Sequence, residues 1–378
     1  MVTNSIMTMY VVGLLMGLVA GFLMHRSDYC MAGMFRDLFM FRQSFRLRAL
    51  VLQVVLTMLA FEAFRLFNLL PLYPFPLLGA PSLAGIIGGA LFGLGMVMAG
   101  GCVVGTLYKM GAGSLLSACA FSGLILGSGL YAEIHPWWTG IIKKTTFLED
   151  YLTIPQLVGL SPTVLVLAVS GAALPLLLNW RARKLWEIGS EVRGYIQPWK
   201  TAVVLAAVGL ASYLLIGMPL GITTTYAKLA AMAENLFFSE HVAGLAFFQG
   251  TPLNIVHPAS QTLLTGGAGP LFDHIWVIQF PLIVGIVLGS AISALLLGEF
   301  KVYWHLPARQ FTITLAGGIL LGLASRMVPG CNVWHLMGGI PIFAMQSFLF
   351  LIGLLPGAWL GSLILPRLLG STPSILKR

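Results

Sequence analysis

Apolar residues occur in long continuous runs along this chain, and short polar or glycine- and proline-rich stretches separate the runs. A helix needs about 20 residues to cross a bilayer, and nine runs reach approximately that length. They cover residues 7–25, 48–70, 83–99, 114–131, 161–180, 201–217, 274–298, 311–328 and 343–365. Because the runs are continuous rather than alternating, the pattern predicts membrane helices and not the strands of a barrel.

Four shorter apolar segments follow the first, third, sixth and eighth runs, and each is too short to cross a membrane. Irregular backbone at membrane depth is tolerated only where it is buried in protein or lines a wet cavity. We therefore expect four re-entrant half-helices inside the bundle. The start of such a helix offers free N–H groups and a positive dipole end, which favour an anion.

One segment of twenty residues occurs twice in the chain. Residues 88–107 and 317–336 align without a gap and are identical at ten positions. An apolar bias alone would not put a cysteine behind a glycine at the same point of both copies. These paired residues are Gly101 and Cys102 in the first copy, Gly330 and Cys331 in the second. The repeat predicts one structural unit used twice, with the two thiols face to face.

The composition is that of a protein whose solvent is mostly lipid. Of 378 residues, 58% are hydrophobic and only 9% are charged, and the mean hydropathy is +0.92. A soluble domain carries about 25% charged residues. The net charge of +9 is explained by basic loops on the inner side of a membrane, so we infer no nucleic-acid partner from it.

Lysines and arginines concentrate in alternate loops, which sets the expected orientation. Fifteen lie in four segments, against three on the opposite side. The four segments are 26–48, 181–200, 299–310 and the C-terminal tail. We place these on the inner side of the membrane, with the N-terminus outside and the C-terminus inside. The third run then points inward and the eighth outward, so the two glycine–cysteine copies are antiparallel.

This topology divides the chain into two inverted halves. We expect runs one to four to form the first half, 1–160, and runs six to nine the second, 201–378. The fifth run and its basic loop, 161–200, connect them. Inverted repeats with broken helices are typical of transport proteins, whose sites lie where the repeats meet. The predicted fold is an all-α polytopic membrane protein with about nine transmembrane helices and short re-entrant half-helices.

The four cysteines contain no Cys-x-x-Cys spacing and no Cys/His cluster, so we expect no disulfide framework, metal or cofactor. Cys30, Cys102 and Cys331 lie at or beside the predicted breaks. A thiol is a weak, polarizable donor that could bond a sulfur anion without holding it tightly. Cys119 lies inside the fourth run, away from a break, and we interpret it as structural.

Polar residues near the breaks complete the predicted translocation site. Asn332, Thr106 and the run Thr223–Thr225 are candidate pore-lining donors, and the alternative is that they cap a short helix. Arg326 and Lys109 flank the paired cysteines in sequence. Two interpretations of these cations stay open: they attract an anion into each vestibule, or they extend to the lipid headgroups.

Three stretches of the sequence resemble the YeeE/YedE family of bacterial inner-membrane proteins. They are Ser27-Asp28-Tyr29-Cys30-Met31-Ala32-Gly33, Gly100-Gly101-Cys102-Val103-Val104-Gly105-Thr106, and Pro329-Gly330-Cys331-Asn332 followed by Gly339-Ile340-Pro341. The resemblance implies an hourglass of inverted halves and uptake of thiosulfate, passed along Cys30, Cys102 and Cys331 with Cys102 in the centre. It also implies a cytosolic sulfur-carrier partner of the TusA type.

Transport of a sulfur-containing anion, most simply thiosulfate, is thus the main hypothesis, and we do not expect an enzyme. The alternatives are a membrane sulfurtransferase that forms a persulfide, a transporter of selenium compounds, and a membrane anchor that only docks a sulfur carrier. A reactive cysteine needs a stabilised thiolate, and no histidine or basic residue is closely tied to Cys102 in the sequence.

Overall fold

The computed structural model describes residues 2–190, 192–258 and 260–370, and in this part of the chain almost all regular structure is α-helical. The α-helices are α1 (Val2–Ser27), α2 (Met31–Phe41), α3 (Phe45–Leu66), α4 (Ala84–Met98), α5 (Val103–Gly111), α6 (Leu115–Thr145), α7 (Ile154–Val158), α8 (Pro162–Ala182), α9 (Pro198–Ile216), α10 (Thr223–Asn235), α11 (Ser239–Gly244), α12 (Ala246–Gln249), α13 (His274–Leu296), α14 (Ala308–Met327) and α15 (Met345–Leu369). The end of the basic C-terminal tail, 371–378, which we predict on the inner side of the membrane, lies outside the described residues.

Two short elements depart from the α-helical pattern. Strands β1 (Leu253–Val256) and β2 (Leu263–Gly266) form an antiparallel hairpin, with Leu253 opposite Gly266. The half-helix predicted after the eighth run is a π-helix, Trp334–Gly339, continued by a 3₁₀ turn, Ile340–Ile342. Such wide or tight turns are frequent at functional sites and where glycine and proline interrupt the regular ladder.

Eight helical stretches of the described chain are long and apolar enough to cross a membrane, which confirms an all-α polytopic membrane protein. The ninth predicted span is present as α14, a helix of 20 residues. It falls outside those eight because Arg309, Gln310 and Arg326 make it less apolar. Helix α14 lies between α4 and α6, so protein rather than lipid covers much of it.

The fourth and fifth predicted spans, 114–131 and 161–180, leave residues 132–160 as a polar loop between them. This expectation is wrong in its first half, because α6 continues without a break to Thr145. Contacts with the rest of the bundle hold this polar extension. The indole of Trp138 donates to the carbonyl of Met327 at 2.8 Å, and the hydroxyls of Ser82 and Thr145 lie 2.7 Å apart. Polar residues alone therefore did not mark the end of the helix.

Helix pairs repeat in a two-fold pattern. Helix α1 packs along α13 as α9 packs along α3, and α4 packs along α15 as α6 packs along α14. Most large contacts therefore join the first predicted half to the second. Helix α8 packs on α3 and has no counterpart in the pattern. The boundaries 1–160, 161–200 and 201–378 stay a prediction. The helix pairs are consistent with two repeats that pack against each other, and not with two halves that fold separately.

The two copies of the glycine–cysteine unit pack against each other in opposite directions. At one end of the interface Gly88 of α4 lies against Val328, just past the end of α14. Further along α4, Gly95 lies against Leu321, and Ala99 lies against Gly317. Residue numbers rise along one helix as they fall along the other, so α4 and α14 are antiparallel.

Glycines let the long helices approach each other closely. On α1, Gly13, Gly17 and Gly21 meet residues 278–286 of α13, and the numbers rise together, so these two helices are parallel. Small residues at every fourth position are the usual means of helix association in lipid, where close van der Waals packing replaces the hydrophobic effect.

We predict that Gly357→Ala destabilises the bundle, because the new Cβ would overlap the carbonyl oxygen of Ala90 on α4. Overpacking at such a contact costs about 1–3 kcal/mol. Thermal unfolding of the detergent-purified protein measures the effect. Gly171→Ala on α8 is the matched control, since its Cβ would meet no atom within 4 Å. Equal melting temperatures for the two variants would contradict this account of the contact between α4 and α15.

Candidate functional site

Residues from all four breaks meet at the centre of the bundle. They surround a cavity of about 40 Å³, which is room for a few water molecules and not for a hydrated anion. Met31 begins α2, Cys102 precedes α5, Ile222 precedes α10, and Cys331 precedes the π-helical segment. The remaining wall is apolar and comes mainly from α1, α9 and α13. The predicted pair Cys102 and Cys331 thus faces one narrow space.

Two of the thiols lie side by side because a glycine leaves them room. Cys102 caps the N-terminus of α5, and its sulfur accepts the N–H of Gly105 at 3.3 Å. Cys30 occupies the same cap position before α2. A Cβ on Gly105 would lie 2.7 Å from the sulfur of Cys30 and 3.3 Å from that of Cys102. Both thiols are almost completely buried.

Cys331 is joined to the same centre through its neighbour Asn332. The Asn332 side chain donates to the sulfur of Met31 at 3.0 Å, and its carbonyl oxygen has no partner among the described residues. Gly330 has φ of 132°, a conformation that favours glycine, and a Cβ there would strike the ring of Trp334. This turn aims Cys331 and Asn332 inward.

Arg326 is a buried cation, 6% exposed, with no acidic partner among the described residues. It ends α14 and donates to the hydroxyls of Thr223 and Thr224, at the start of α10, and to the carbonyl of Ser325. A charge at this depth is expensive and usually faces a cavity or a ligand. This buried position does not agree with a side chain that extends to the lipid headgroups.

Lys109 lies on the opposite side of the centre, in an open vestibule of about 470 Å³ with Lys301 and His25. Its ammonium donates to the carbonyl of Gly100 at 2.7 Å. Tyr108 and Asp28 line the same vestibule, and the Tyr108 hydroxyl donates to Asp28 at 3.0 Å. The two predicted cations therefore serve separate ends of the molecule.

The remaining predicted residues support the break before α5 rather than offering free groups. Thr106 is fully buried, and its hydroxyl donates to the carbonyl of Val103 at 2.8 Å. Gly101 lies against the backbone N–H of Thr106, whereas its neighbour Gly100 takes the left-handed conformation with φ of 70°.

Cys119 lies on α6, away from the breaks, and its thiol approaches the carbonyl of Phe311 at 3.7 Å.

Another buried cation near a break is structural. Lys228 on α10 donates to Asp273 at 2.7 Å and to the carbonyls of Gly269 and Leu271. Asp273 also accepts the N–H of Trp276 and so caps α13. This ion pair and the two carbonyl contacts connect the end of the segment 236–273 to α10. It differs from Arg326, whose donors meet only neutral oxygens.

One group of possible metal ligands in the described chain, Glu133, Glu234 and His241, lies on the surface away from the breaks. The His241 ring is 2.8 Å from Glu133 and 3.3 Å from Glu234. The hydrogen bond to Glu133 and the two negative charges raise the pKa of His241. The arrangement is accounted for as an ion-paired surface cluster, and we assign no metal to it.

Sequence reasoning missed Tyr226, which lies on the first turn of α10 beside the threonines that hold Arg326. Its side chain is fully buried, and its hydroxyl has no partner among the described residues. The available signal was its place directly after three threonines at a predicted break. A tyrosine in an apolar bundle gave no reason to separate it from the other aromatic residues.

Comparison with known proteins gives a consistent family. A family described as Sulphur transport matches residues 26–360. The thiosulfate transporter TsuA of Spirochaeta thermophila is 31% identical over 376 residues, covering 94% of this chain and 98% of the relative. TsuA of Escherichia coli is 26% identical, with 94% of each chain covered. The probable transporter YedE of Escherichia coli is 28% identical over 45% of this chain and 41% of its own.

These relatives are named as transporters, in agreement with the prediction of a transport protein rather than an enzyme. The match also agrees with the resemblance read from the three cysteine-containing stretches. Because the family match extends over most of the chain, this protein belongs to the Sulphur transport family.

Proposed function

We propose that the protein carries thiosulfate, or a closely related sulfur anion, through the bundle by way of Cys331, Cys102 and Cys30. The main support is the meeting of three buried thiols, which lie at three of the four helix breaks, while an unpaired arginine is bound at the fourth. The two full-length relatives carry the name thiosulfate transporter, which supports this substrate. Transport of selenium compounds and sulfur transfer stay alternatives.

Capture of the anion is the first step in this scheme. The guanidinium of Arg326 uses its N–H groups on Thr223, Thr224 and Ser325 and has no counter-ion among the described residues. An arginine has five such hydrogens, so donors remain for a ligand. A dianion bound here would supply the negative charge that balances the guanidinium.

Passage along thiols is the second step. The anion would lose its water at the central cavity, since about 40 Å³ does not hold its hydration shell. An S–H group is a weak donor, and its sulfur suits the polarizable terminal sulfur of thiosulfate. Conduction needs successive sites that bind well enough to accept the ion and weakly enough to release it. Neighbouring thiols meet that requirement better than cations.

Release is the third step, into the vestibule that holds Lys109 and Lys301. Tyr108 and Asp28 stand between this space and Cys30, and Arg46 binds Asp28 at 2.8 Å and Asp37 at 2.7 Å. In this scheme the bonded side chains form the inner boundary of the passage, and release requires their movement. Cys30, beside this boundary, would hold the anion until that movement occurs.

The orientation and partners belong to the same proposal. We place the protein in a bacterial inner membrane, with the vestibule on the cytoplasmic side. The basic loops set this orientation, with the N-terminus outside and the C-terminus inside. A TusA-type carrier would receive the sulfur anion there, attracted by those loops. The Arg326 end then faces outward, which matches uptake.

Cys102→Ala is expected to abolish growth on thiosulfate in a strain that lacks other sulfate and thiosulfate uptake. Loss of the central thiol leaves the anion without a ligand at the narrowest point. Cys119→Ala is the matched control and should grow normally, since that thiol contacts only a carbonyl on α14. Normal growth of Cys102→Ala would refute the relay, and a persulfide on Cys102 found by mass spectrometry would indicate sulfur transfer instead.

Arg326→Gln should raise the KM for thiosulfate uptake into proteoliposomes by about tenfold or more. It removes a charged donor, and a hydrogen bond to a charged group contributes about 1.5–3 kcal/mol. Arg309→Gln, at the exposed opposite end of α14, controls for loss of one positive charge. An unchanged KM for Arg326→Gln would exclude the cation from capture.

Gly105→Ala tests the contact between the two adjacent thiols. The added methyl group would lie 2.7 Å from the sulfur of Cys30, so that thiol must move away from Cys102. Thiosulfate uptake should fall at least tenfold while the protein still folds, because alanine favours a helix. Gly140→Ala on α6, which would touch nothing within 4 Å, should transport normally. Full activity of Gly105→Ala would mean that the spacing of the thiols is unimportant.

A further inference from the structure

The hydroxyl of Tyr226 is one of seven buried side-chain polar atoms that have no hydrogen-bond partner among the described residues. We infer that this hydroxyl donates a hydrogen bond to an oxygen atom of the transported anion between Cys331 and Cys102. The inference deepens the proposed function and rests on it. It assigns the oxygen-bearing end of the substrate to a residue outside the cysteine relay.

The unpartnered state of this hydroxyl is the first observation. Burying a hydroxyl without a hydrogen bond is unfavourable, so such groups are rare and need an explanation. The ring itself is well packed, edge-on against Phe121 with centroids 5.4 Å apart. A phenylalanine would make the same contact without the penalty. The oxygen of Tyr226 is therefore present for something other than packing.

The position of Tyr226 is the second observation. It lies four residues after Ile222, which lines the central cavity together with Cys102 and Cys331. The preceding residues Thr223 and Thr224 hold Arg326. The first turn of α10 therefore carries both the bound arginine and the free hydroxyl, directly after the residue that faces the two thiols across the cavity. An oxyanion drawn by Arg326 meets Tyr226 on the same turn.

The unequal chemistry of the two repeats is the third observation. Helices α2 and α10 begin at 31 and 223, which are 192 residues apart. The same offset relates Gly17-Leu18 of the first run to Gly209-Leu210 of the sixth. Where α10 has Thr223 and Tyr226, α2 has Met31 and Met34. All four side chains are buried. The α10 side of the passage thus offers hydroxyl donors, and the α2 side offers thioethers.

This difference assigns a substrate class and a direction. Hydroxyl and guanidinium donors bind the oxygens of a sulfur oxyanion, whereas the thiols contact its terminal sulfur. Hydrosulfide, which has no oxygen, offers Tyr226 only a sulfur atom, which is a weaker hydrogen-bond acceptor. Because α2 lacks such donors, the anion is held more strongly on the Arg326 side and more weakly next to Cys30. Capture and release are thereby separated along the passage.

The test compares Tyr226→Phe with the wild-type protein, full length in detergent and in proteoliposomes. Without substrate, Tyr226→Phe should melt at the same or a higher temperature, because an unsatisfied buried hydroxyl is gone. The thiosulfate concentration that half-saturates thermal stabilisation, and the KM for uptake, should each rise about tenfold, the factor that corresponds to one hydrogen bond of about 1.4 kcal/mol.

Tyr213→Phe is the matched control. Tyr213 is as deeply buried, but its hydroxyl donates to the carbonyl of Leu72. Its loss should lower the melting temperature and leave the affinity for thiosulfate unchanged, the opposite pattern. An unchanged affinity in Tyr226→Phe, or a loss of affinity that merely follows a loss of stability, would overturn the inference. A wild-type protein that takes up no thiosulfate would instead overturn the proposed function.

Discussion

The structure depends on one constraint: backbone N–H and C=O groups in a bilayer must be bonded within the protein. A helix that stops inside the membrane leaves up to four such groups open at its end. This protein has four such stops, and all of them face one another around the central cavity. Each break is covered by the others, and the bundle around them keeps lipid away. The same open N–H groups then surround a place where an anion could be held at that depth.

Close helix contact makes the arrangement possible. Glycines on α1, α4, α13 and α15 let pairs of helices from opposite halves touch along their length, while α4 and α14 cross the centre in opposite directions. The halves are consequently interlocked, and neither could bury its breaks alone. Gly105 repeats the principle on a smaller scale, since the missing side chain lets two sulfur atoms share one helix turn.

The two buried cations near the centre have different partners. Lys228 is neutralised by Asp273 and fixes the segment over α10, whereas Arg326 is held by neutral oxygens and keeps an unbalanced charge. An uncompensated cation and an unpartnered hydroxyl on one turn would be a poor choice for stability alone. Both are reasonable if the missing partner is a ligand. The opposite end offers lysines in open solvent, where an anion binds weakly and leaves easily.

The sequence by itself determined the membrane helices, the four breaks and the repeated glycine–cysteine unit, since these depend on local apolarity and on spacing along the chain. It misjudged the length of α6, because a helix held by Trp138 and Thr145 can continue through polar residues. It could not distinguish Arg326 from Lys228, or Tyr226 from other buried aromatic residues. Only the tertiary structure decided those roles, because whether a buried polar group has a partner depends on residues distant in sequence.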